Sequence, residues 1–274
     1  MTTLHVSSST EATQAPPVAR KRSVRRKSVD AINAVDGFLD PAGQLDKLTP
    51  DAPVPTSRKR GVTAAAATAG PAMPAGFFDA YTGAMLSGKD LADAAQVLGC
   101  EVAAVRAVAE VESRGAGFDA LKRPTILYER HVFARCTVPP GKFDAAHPDL
   151  SGLHNPYPRG GYGTKDQQYG KLARALTLDH DAALKAASWG IFQILGENHK
   201  ACGFTTVTNF VRAMTVSDAE HLKAFVQFVR NNAKLLKAIR SRNWAAFAEG
   251  YNGRDYATFQ YDLKMAAAYA KYAG

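Results

Sequence analysis

Apolar residues recur at helical spacing from Phe77 onward. Residues 90 to 98 fit a helix that stops at Gly99, and residues 101 to 113 fit a second helix that stops at the Arg114-Gly115 pair. Glycine after a helical stripe is a common stop signal, because it adopts the left-handed backbone without strain. The sequence therefore predicts two short helices in succession.

Further helices follow in the C-terminal third of the chain. Ser217 and Glu220 form the S-x-x-E pattern of a capping box. The apolar stripe behind it consists of Leu222, Phe225, Val226 and Val229. Residues 244 to 251 repeat the pattern before Gly253, and residues 262 to 273 fit a closing helix. We expect a mainly helical domain.

Residues 114 to 166 interrupt this pattern, since they are rich in Gly, Pro, Asn and aromatic residues. Only residues 125 to 133 have the composition of a strand. A long irregular segment inside a compact domain is usually functional or poorly ordered. We expect a small β-lobe that forms one wall of a groove, and hence an α+β fold.

Residues 1 to 74 show no sustained hydrophobic period. They contain segments rich in Ser and Thr, in Pro, and in Ala. This composition predicts a mostly disordered tail and linker, so that the folded domain spans residues 75 to 274. The tail contains a cluster of cations, namely Arg20, Lys21, Arg22, Arg25, Arg26 and Lys27. The cluster is either a solvated charge run, an anchor for an anionic surface, or a nucleic-acid arm.

The net charge of +9 indicates an anionic partner, which could be nucleic acid, a lipid surface or the bacterial envelope. The first residues lack the basic start and apolar stretch of a signal peptide, so we expect synthesis in the cytoplasm. No apolar run is long enough for a transmembrane segment. Three widely spaced cysteines and scattered histidines predict neither a disulfide framework nor a metal site.

Glu112 is a carboxylate in an unusual position, because it continues the apolar stripe of the helix at 101 to 113. This stripe consists of Val102, Val105, Val108 and Ala109. An inward-facing acid at the C-terminal end of a helix tends to retain its proton, because apolar surroundings and the helix dipole both disfavour its anion. Glu112 is then either a general acid or a helix-end residue bonded to a neighbouring loop. Glu110 lies off the stripe, where an ion pair with Arg106 explains it.

Three short motifs occur in a fixed order: Glu112-Ser113 at a helix end, Ser188 to Ile194 (SWGIFQI), which we expect to open a helix, and Gly250 to Gly253 (GYNG). Their order resembles that in goose-type lysozymes and soluble lytic transglycosylases. Over about residues 90 to 273, the segments AVAEVES, ILYERHVF, FDAAHPDLS, GGYG, ASWGIFQI and WAAFAEGYNG resemble the N-acetylmuramidase domain of phage endolysins and prophage proteins.

This resemblance implies a lysozyme-like fold in which Glu112 is the catalytic acid. Ser188, Gln193, Tyr251 and Asn252 would line the cleft and contact the substrate. Three of them have a purely structural alternative, which is a helix-start amide for Gln193, a core side chain for Tyr251 and a turn residue for Asn252.

Glu129 is the second candidate catalytic carboxylate, because lysozymes of several kinds place an acid on the β-lobe after the acid-bearing helix. We expect it in a strand over residues 126 to 131. The structural alternative is a salt bridge to Arg123, Arg130 or Arg135. Asp144 and Asp149 are weaker candidates, since their segment could be a loop held by its own Asx turns.

The resemblance implies hydrolysis of the β-1,4 bond between N-acetylmuramic acid and N-acetylglucosamine in peptidoglycan, without cofactor or metal. The alternatives are a lytic transglycosylase that leaves 1,6-anhydro ends, an inactive glycan-binding module, and a basic nucleic-acid-binding protein. Endolysins of this kind often carry an N-terminal wall-binding module, for which residues 1 to 74 show no pattern. This absence favours a prophage or secretion-system effector over an endolysin, and both stay open. In either case we expect a monomer without specific nucleic-acid binding, released by a holin or a secretion system, whose basic tail contacts the anionic envelope.

Overall fold

The structure is a computed structural model that describes residues 75–113, 116–154 and 162–274. The predicted tail and its basic cluster lie outside these residues. Within them, the helices are α1 Gly88–Leu98, α2 Val102–Glu112, α3 Arg130–Cys136, α4 Lys165–Leu178, α5 His180–Ala186, α6 Val207–Met214, α7 Asp218–Arg230, α8 Ala233–Arg240, α9 Trp244–Asn252 and α10 Tyr261–Ala273. The strands are β1 Ile126–Tyr128, β2 Ala187–Trp189 and β3 Ile194–Leu195.

The predicted helices α1, α2, α7, α9 and α10 are confirmed, with ends within two residues of the expected positions. Local capping explains why α1 begins and ends where it does. Ser87 and Asp90 form a reciprocal capping box, and Gly99 closes the helix at a φ of 63°. Helix α7 departs from expectation at its start. Ser217 accepts from the backbone of Glu220, but the Glu220 carboxylate pairs with Lys223 at 2.6 Å rather than completing the box.

The small β-lobe is confirmed as a three-stranded antiparallel sheet in the order β1-β2-β3. The predicted strand over residues 125 to 133 is too long, because it ends at Tyr128 and α3 follows. The amides of Val132 and Phe133 both turn back to the Glu129 carbonyl at 3.0 Å. Residues 131 to 134 are all buried, which a strand with one solvent face could not achieve.

The segment Ser188 to Ile194 does not open a helix, so that prediction is wrong. It forms the β2-β3 hairpin, with Ser188 opposite Leu195. Gly190 and Gln193 have φ values of 71° and 47°, which a right-handed helix cannot contain. A Cβ on Gly190 would lie 2.6 Å from the imidazole of His221, so the turn needs glycine for space as well as for backbone conformation.

The hydrophobic core joins the hairpin to the C-terminal helices. Phe192 from the turn stacks on Phe225 of α7, with ring centroids 4.5 Å apart. Tyr251 of α9 packs edge-on against Phe225 and stacks on Phe247. Helix α10 packs along both α2 and α9. These contacts fix the C-terminal ends of α2 and α9 relative to the hairpin.

Candidate active site

The acid candidate lies where two helices end together. Glu112 is the last residue of α2, and Asn252 is the last residue of α9. The Asn252 side chain donates from Nδ2 to Oε1 of Glu112 at 3.0 Å. Glu112 is only partly buried. The first and third motifs of the sequence therefore meet at a hydrogen bond.

Tyr251 points away from this bond into the core. Its hydroxyl donates to the carbonyl of Phe192 at 2.8 Å, and its ring is enclosed by aromatic neighbours. Burial raises the pKa of Tyr251 well above its ordinary value, and the charge of nearby Glu112 acts in the same direction. Tyr251 thus has the core position that sequence analysis kept as an alternative, and it ties the hairpin turn to α9. A contact with substrate remains a prediction.

Ser188 and Gln193 bond to each other within the hairpin. The Ser188 hydroxyl donates to Oε1 of Gln193 at 2.8 Å. The Gln193 amide donates to the carbonyls of Thr125 at 3.1 Å and Gly190 at 2.7 Å. The amide therefore fastens the turn to the segment that leads into β1. The expected helix-start position of Gln193 is wrong, and its contact with substrate remains a prediction.

His221 was not singled out from the sequence, although it holds the same turn from the other side. Its Nδ1 accepts from the amide of Ile191 at 3.3 Å, and its Nε2 donates to the carbonyl of Met214 at 2.7 Å. Burial lowers the pKa of His221 to about 4, so the ring is neutral at pH 7. A lone histidine on the apolar stripe of α7 is the one sequence signal that could have identified it.

Glu129 lies at the start of α3 and is only 1% exposed. Its backbone amide donates to the carbonyl of Ala186 at 2.9 Å, which extends the β1-β2 pairing by one residue. The carboxylate accepts at Oε2 from the hydroxyl of Tyr162 at 2.9 Å, and His131 Nδ1 lies 3.4 Å from the same oxygen. Among the described residues, Oε1 has no hydrogen-bond partner.

The structure gives other partners to the three arginines that could pair with Glu129. These partners are Asp119 and Asp166 for Arg123, the Pro148 carbonyl for Arg130, and Glu197 for Arg135. The weaker candidates do have structural partners. Asp144 accepts from Ser151 and from the amide of Leu153, and Asp149 pairs with Arg174 at 2.5 Å.

The sheet register places Glu129 beside the hairpin pair. Leu127 is directly opposite Ser188, so their side chains share one face of the sheet. Glu129 is two residues beyond Leu127 and faces the same way. Diagonal neighbours of this kind have Cβ atoms about 7 to 8 Å apart. The tertiary structure therefore gathers Glu129, Ser188 and Gln193 on one face of the small sheet.

Within the described ranges, no three His, Cys, Asp or Glu side chains lie together in a way that could hold a metal ion. Across the same residues, no helix is long and apolar enough to cross a membrane.

Comparison with known proteins identifies the family. A model of the N-acetylmuramidase family matches residues 101–273, which contain all of the candidate site residues. The chain belongs to the N-acetylmuramidase family. It is therefore a glycoside hydrolase that acts on peptidoglycan, as the sequence predicted.

The N-acetylmuramidase chain is also similar to a solved structure, the crystal structure of Burkholderia AP3 phage endolysin. The two are 46% identical, with a TM-score of 0.65, over 69% of this chain and 72% of the endolysin chain. No curated protein matches it significantly. The similarity confirms the predicted lysozyme-like α+β fold.

Proposed function

We propose that this N-acetylmuramidase cuts the β-1,4 bond between N-acetylmuramic acid and N-acetylglucosamine, with Glu112 as the general acid. The hydrogen bond from Asn252 to Glu112 carries the proposal. It orients a partly buried carboxyl group through a neutral amide, as a proton donor to the glycosidic oxygen requires.

The hydrogen bond holds the acid at Oε1, where Asn252 donates to it. In the reaction, Glu112 would give its proton to the glycosidic oxygen as the bond to the anomeric carbon breaks and positive charge develops on the sugar ring. The product leaves with a new hydroxyl group, and Glu112 becomes a carboxylate.

Glu129 is proposed as the second carboxylate, which stabilises the developing charge or positions water. A buried carboxylate oxygen without a partner is energetically unfavourable. Oε1 of Glu129 is such an oxygen, and it is turned toward no donor among the described residues. A water molecule or a sugar ring in the groove would supply the missing interaction, which supports a functional role for Glu129.

Analysis of the products tests the reaction type. Purified peptidoglycan is digested, and the new sugar ends are identified by mass spectrometry. We expect N-acetylmuramic acid at the reducing end, because water attacks the anomeric carbon. Products with 1,6-anhydro ends would assign the chain to the transglycosylases, and saturable binding without fragment release would assign it to the glycan-binding modules.

We further propose that the protein is a monomeric lytic enzyme of a phage or prophage, or a delivered antibacterial effector, made in the cytoplasm and active on the wall. Its similarity to Burkholderia AP3 phage endolysin supports this setting. Expression in a bacterial host tests it. We expect lysis only when a holin is co-expressed, and lysis without a holin would contradict dependence on an external release route.

A further inference from the structure

Tyr162 forms hydrogen bonds around Glu129 with both its side-chain hydroxyl and its backbone carbonyl. Its side chain is 3% exposed, and its hydroxyl donates to Oε2 of Glu129 at 2.9 Å. Its backbone carbonyl accepts from Nζ of Lys171 at 2.8 Å and from the side-chain amide of Gln168. Both of these donors lie on α4, so the tyrosine joins that helix to the end of β1.

Gln168 links Tyr162 to the backbone of the sheet. Its Oε1 accepts from the backbone amide of Tyr128, the residue before Glu129, at 3.2 Å. One connected set of hydrogen bonds therefore holds the backbone of Tyr128 and the side chain of Glu129. This set has little freedom, because Gln168 and Tyr162 are both buried.

The titratable neighbours of Glu129 come from two helices and the loop between them. His131 lies on α3, Tyr162 precedes α4, and Lys171 lies on α4. Burial lowers the pKa of Lys171 to about 8, while the charges of Asp149 and Glu129 favour its ammonium form and Arg130 opposes it. All the contacts recorded for the Glu129 carboxylate are at Oε2, and Oε1 has none among the described residues.

We propose that Tyr162 is a positioning residue for Glu129: its hydroxyl holds Oε2 and leaves the buried Oε1 as the oxygen that acts on water or on the sugar. The inference rests on the proposed role of Glu129 in the reaction. The terminal torsion of a glutamate is broad, so packing alone does not fix which oxygen faces the groove. A phenol donor fixes it, and a hydrogen bond to the anion also favours the charged form.

Tyr162→Phe removes this hydrogen bond and keeps the packed ring. Kinetics on a soluble glycan fragment should show kcat reduced about 10- to 100-fold, because small misplacements of a catalytic group have effects of this size. KM should change by less than about threefold, since Tyr162 is buried and acts through Glu129. The acid limb of the pH–rate profile should move to higher pH, because the anion of Glu129 loses a donor.

Tyr128→Phe is the matched control. Tyr128 is 0% exposed, and its hydroxyl donates to the carbonyl of Leu150 at 3.0 Å. It precedes Glu129 in the chain but faces the other side of the sheet. This variant loses the same hydroxyl from an equally buried ring, so it should match Tyr162→Phe in unfolding by urea while keeping wild-type kcat and pH profile.

The variant Glu129→Gln separates the two proposals. If Glu129 acts in the reaction and Tyr162 acts through it, adding Tyr162→Phe to Glu129→Gln should reduce the residual rate no further. An inactive Glu129→Gln with a fully active Tyr162→Phe would overturn the inference and leave the role of Glu129 intact. Wild-type activity in both variants would show that Glu129 itself is structural. Equal losses in Tyr162→Phe and Tyr128→Phe would reduce Tyr162 to a packing residue and overturn the inference.

Discussion

Nδ2 of Asn252 lies 3.0 Å from Oε1 of Glu112, so a hydrogen bond connects the final residues of α9 and α2. The C-terminal end of a helix carries partial negative charge, which makes an ionised carboxylate unfavourable there. A neutral amide donor orients the group without cancelling that effect, whereas a lysine or arginine would favour the anion. The pairing therefore suits an acid that must hold its proton until the substrate is bound.

Glu112→Gln should abolish muropeptide release while leaving the fold intact. The amide keeps the shape of the side chain but has no acidic proton to give to the leaving oxygen. The loss should be at least about 10² to 10⁴-fold, the usual contribution of general acid catalysis. Release from purified peptidoglycan measures the effect, and circular dichroism checks the fold. Activity within about threefold of wild type would refute the assignment.

Substitutions of Asn252 should separate orientation from charge. Asn252→Ala should reduce kcat about tenfold or more, because Glu112 loses its orienting donor. Asn252→Asp should move the basic limb of the pH–rate profile to higher pH, since a second carboxylate disfavours the anion of Glu112. The pH dependence of kcat/KM on a soluble fragment tests both. A basic limb unchanged in Asn252→Asp would contradict the contact.

Gln193→Ala should destabilise the fold by about 1 to 3 kcal/mol, because Ser188 and two carbonyls lose a buried partner. The φ of 47° adds strain for alanine but not for glycine. Gln193→Gly should therefore be the more stable of the two variants in urea unfolding. The reverse order would show that the left-handed conformation contributes nothing at this position.

Stability should fall as the pH drops from about 6.5 toward 4, in part because of His221. Burial lowers its pKa to about 4 in the folded state, so between these values the unfolded chain binds a proton that the folded chain does not. The effect should reach roughly 3 kcal/mol. The Asp218 carboxylate lies 3.5 Å from Nδ1 of His221. Its negative charge would favour the protonated ring and so reduce this loss of stability.

Urea unfolding at pH 7 and at pH 4.5 measures this dependence. His221→Gln should be less stable at pH 7 but should lose less stability on acidification than the wild type. His180→Gln is the matched control, because His180 is exposed on α5. An unchanged pH dependence in His221→Gln would contradict a buried neutral histidine.

Removal of residues 1 to 70 should leave turnover of soluble glycan fragments nearly unchanged and weaken binding to intact anionic envelopes. The predicted tail carries the six-cation cluster from Arg20 to Lys27. Exposed charges are screened over about 10 Å at 0.1 M salt, so added salt should weaken the binding of the full chain in the same way. A truncated protein that fails to fold would place the domain boundary earlier than residue 75.

Much of the helical framework follows from the sequence because its signals are local. The cap at Ser87, the stop at Gly99 and the stripe that leads to Glu112 all lie within a few turns of the backbone they control. Helical geometry then determines which side of α2 faces the core. The candidate acid could therefore be predicted from its own helix.

The tertiary structure decided the rest, because the deciding contacts join distant parts of the chain. Strand β1 pairs with β2 about sixty residues later, and only that register places Glu129 on the face that carries Ser188. The motif of residues 188 to 194 looks helical in isolation. It forms a hairpin because Thr125, His221 and Tyr251 each bond to its turn. The sequence alone determined which carboxylate faces inward, whereas long-range pairing determined what surrounds it.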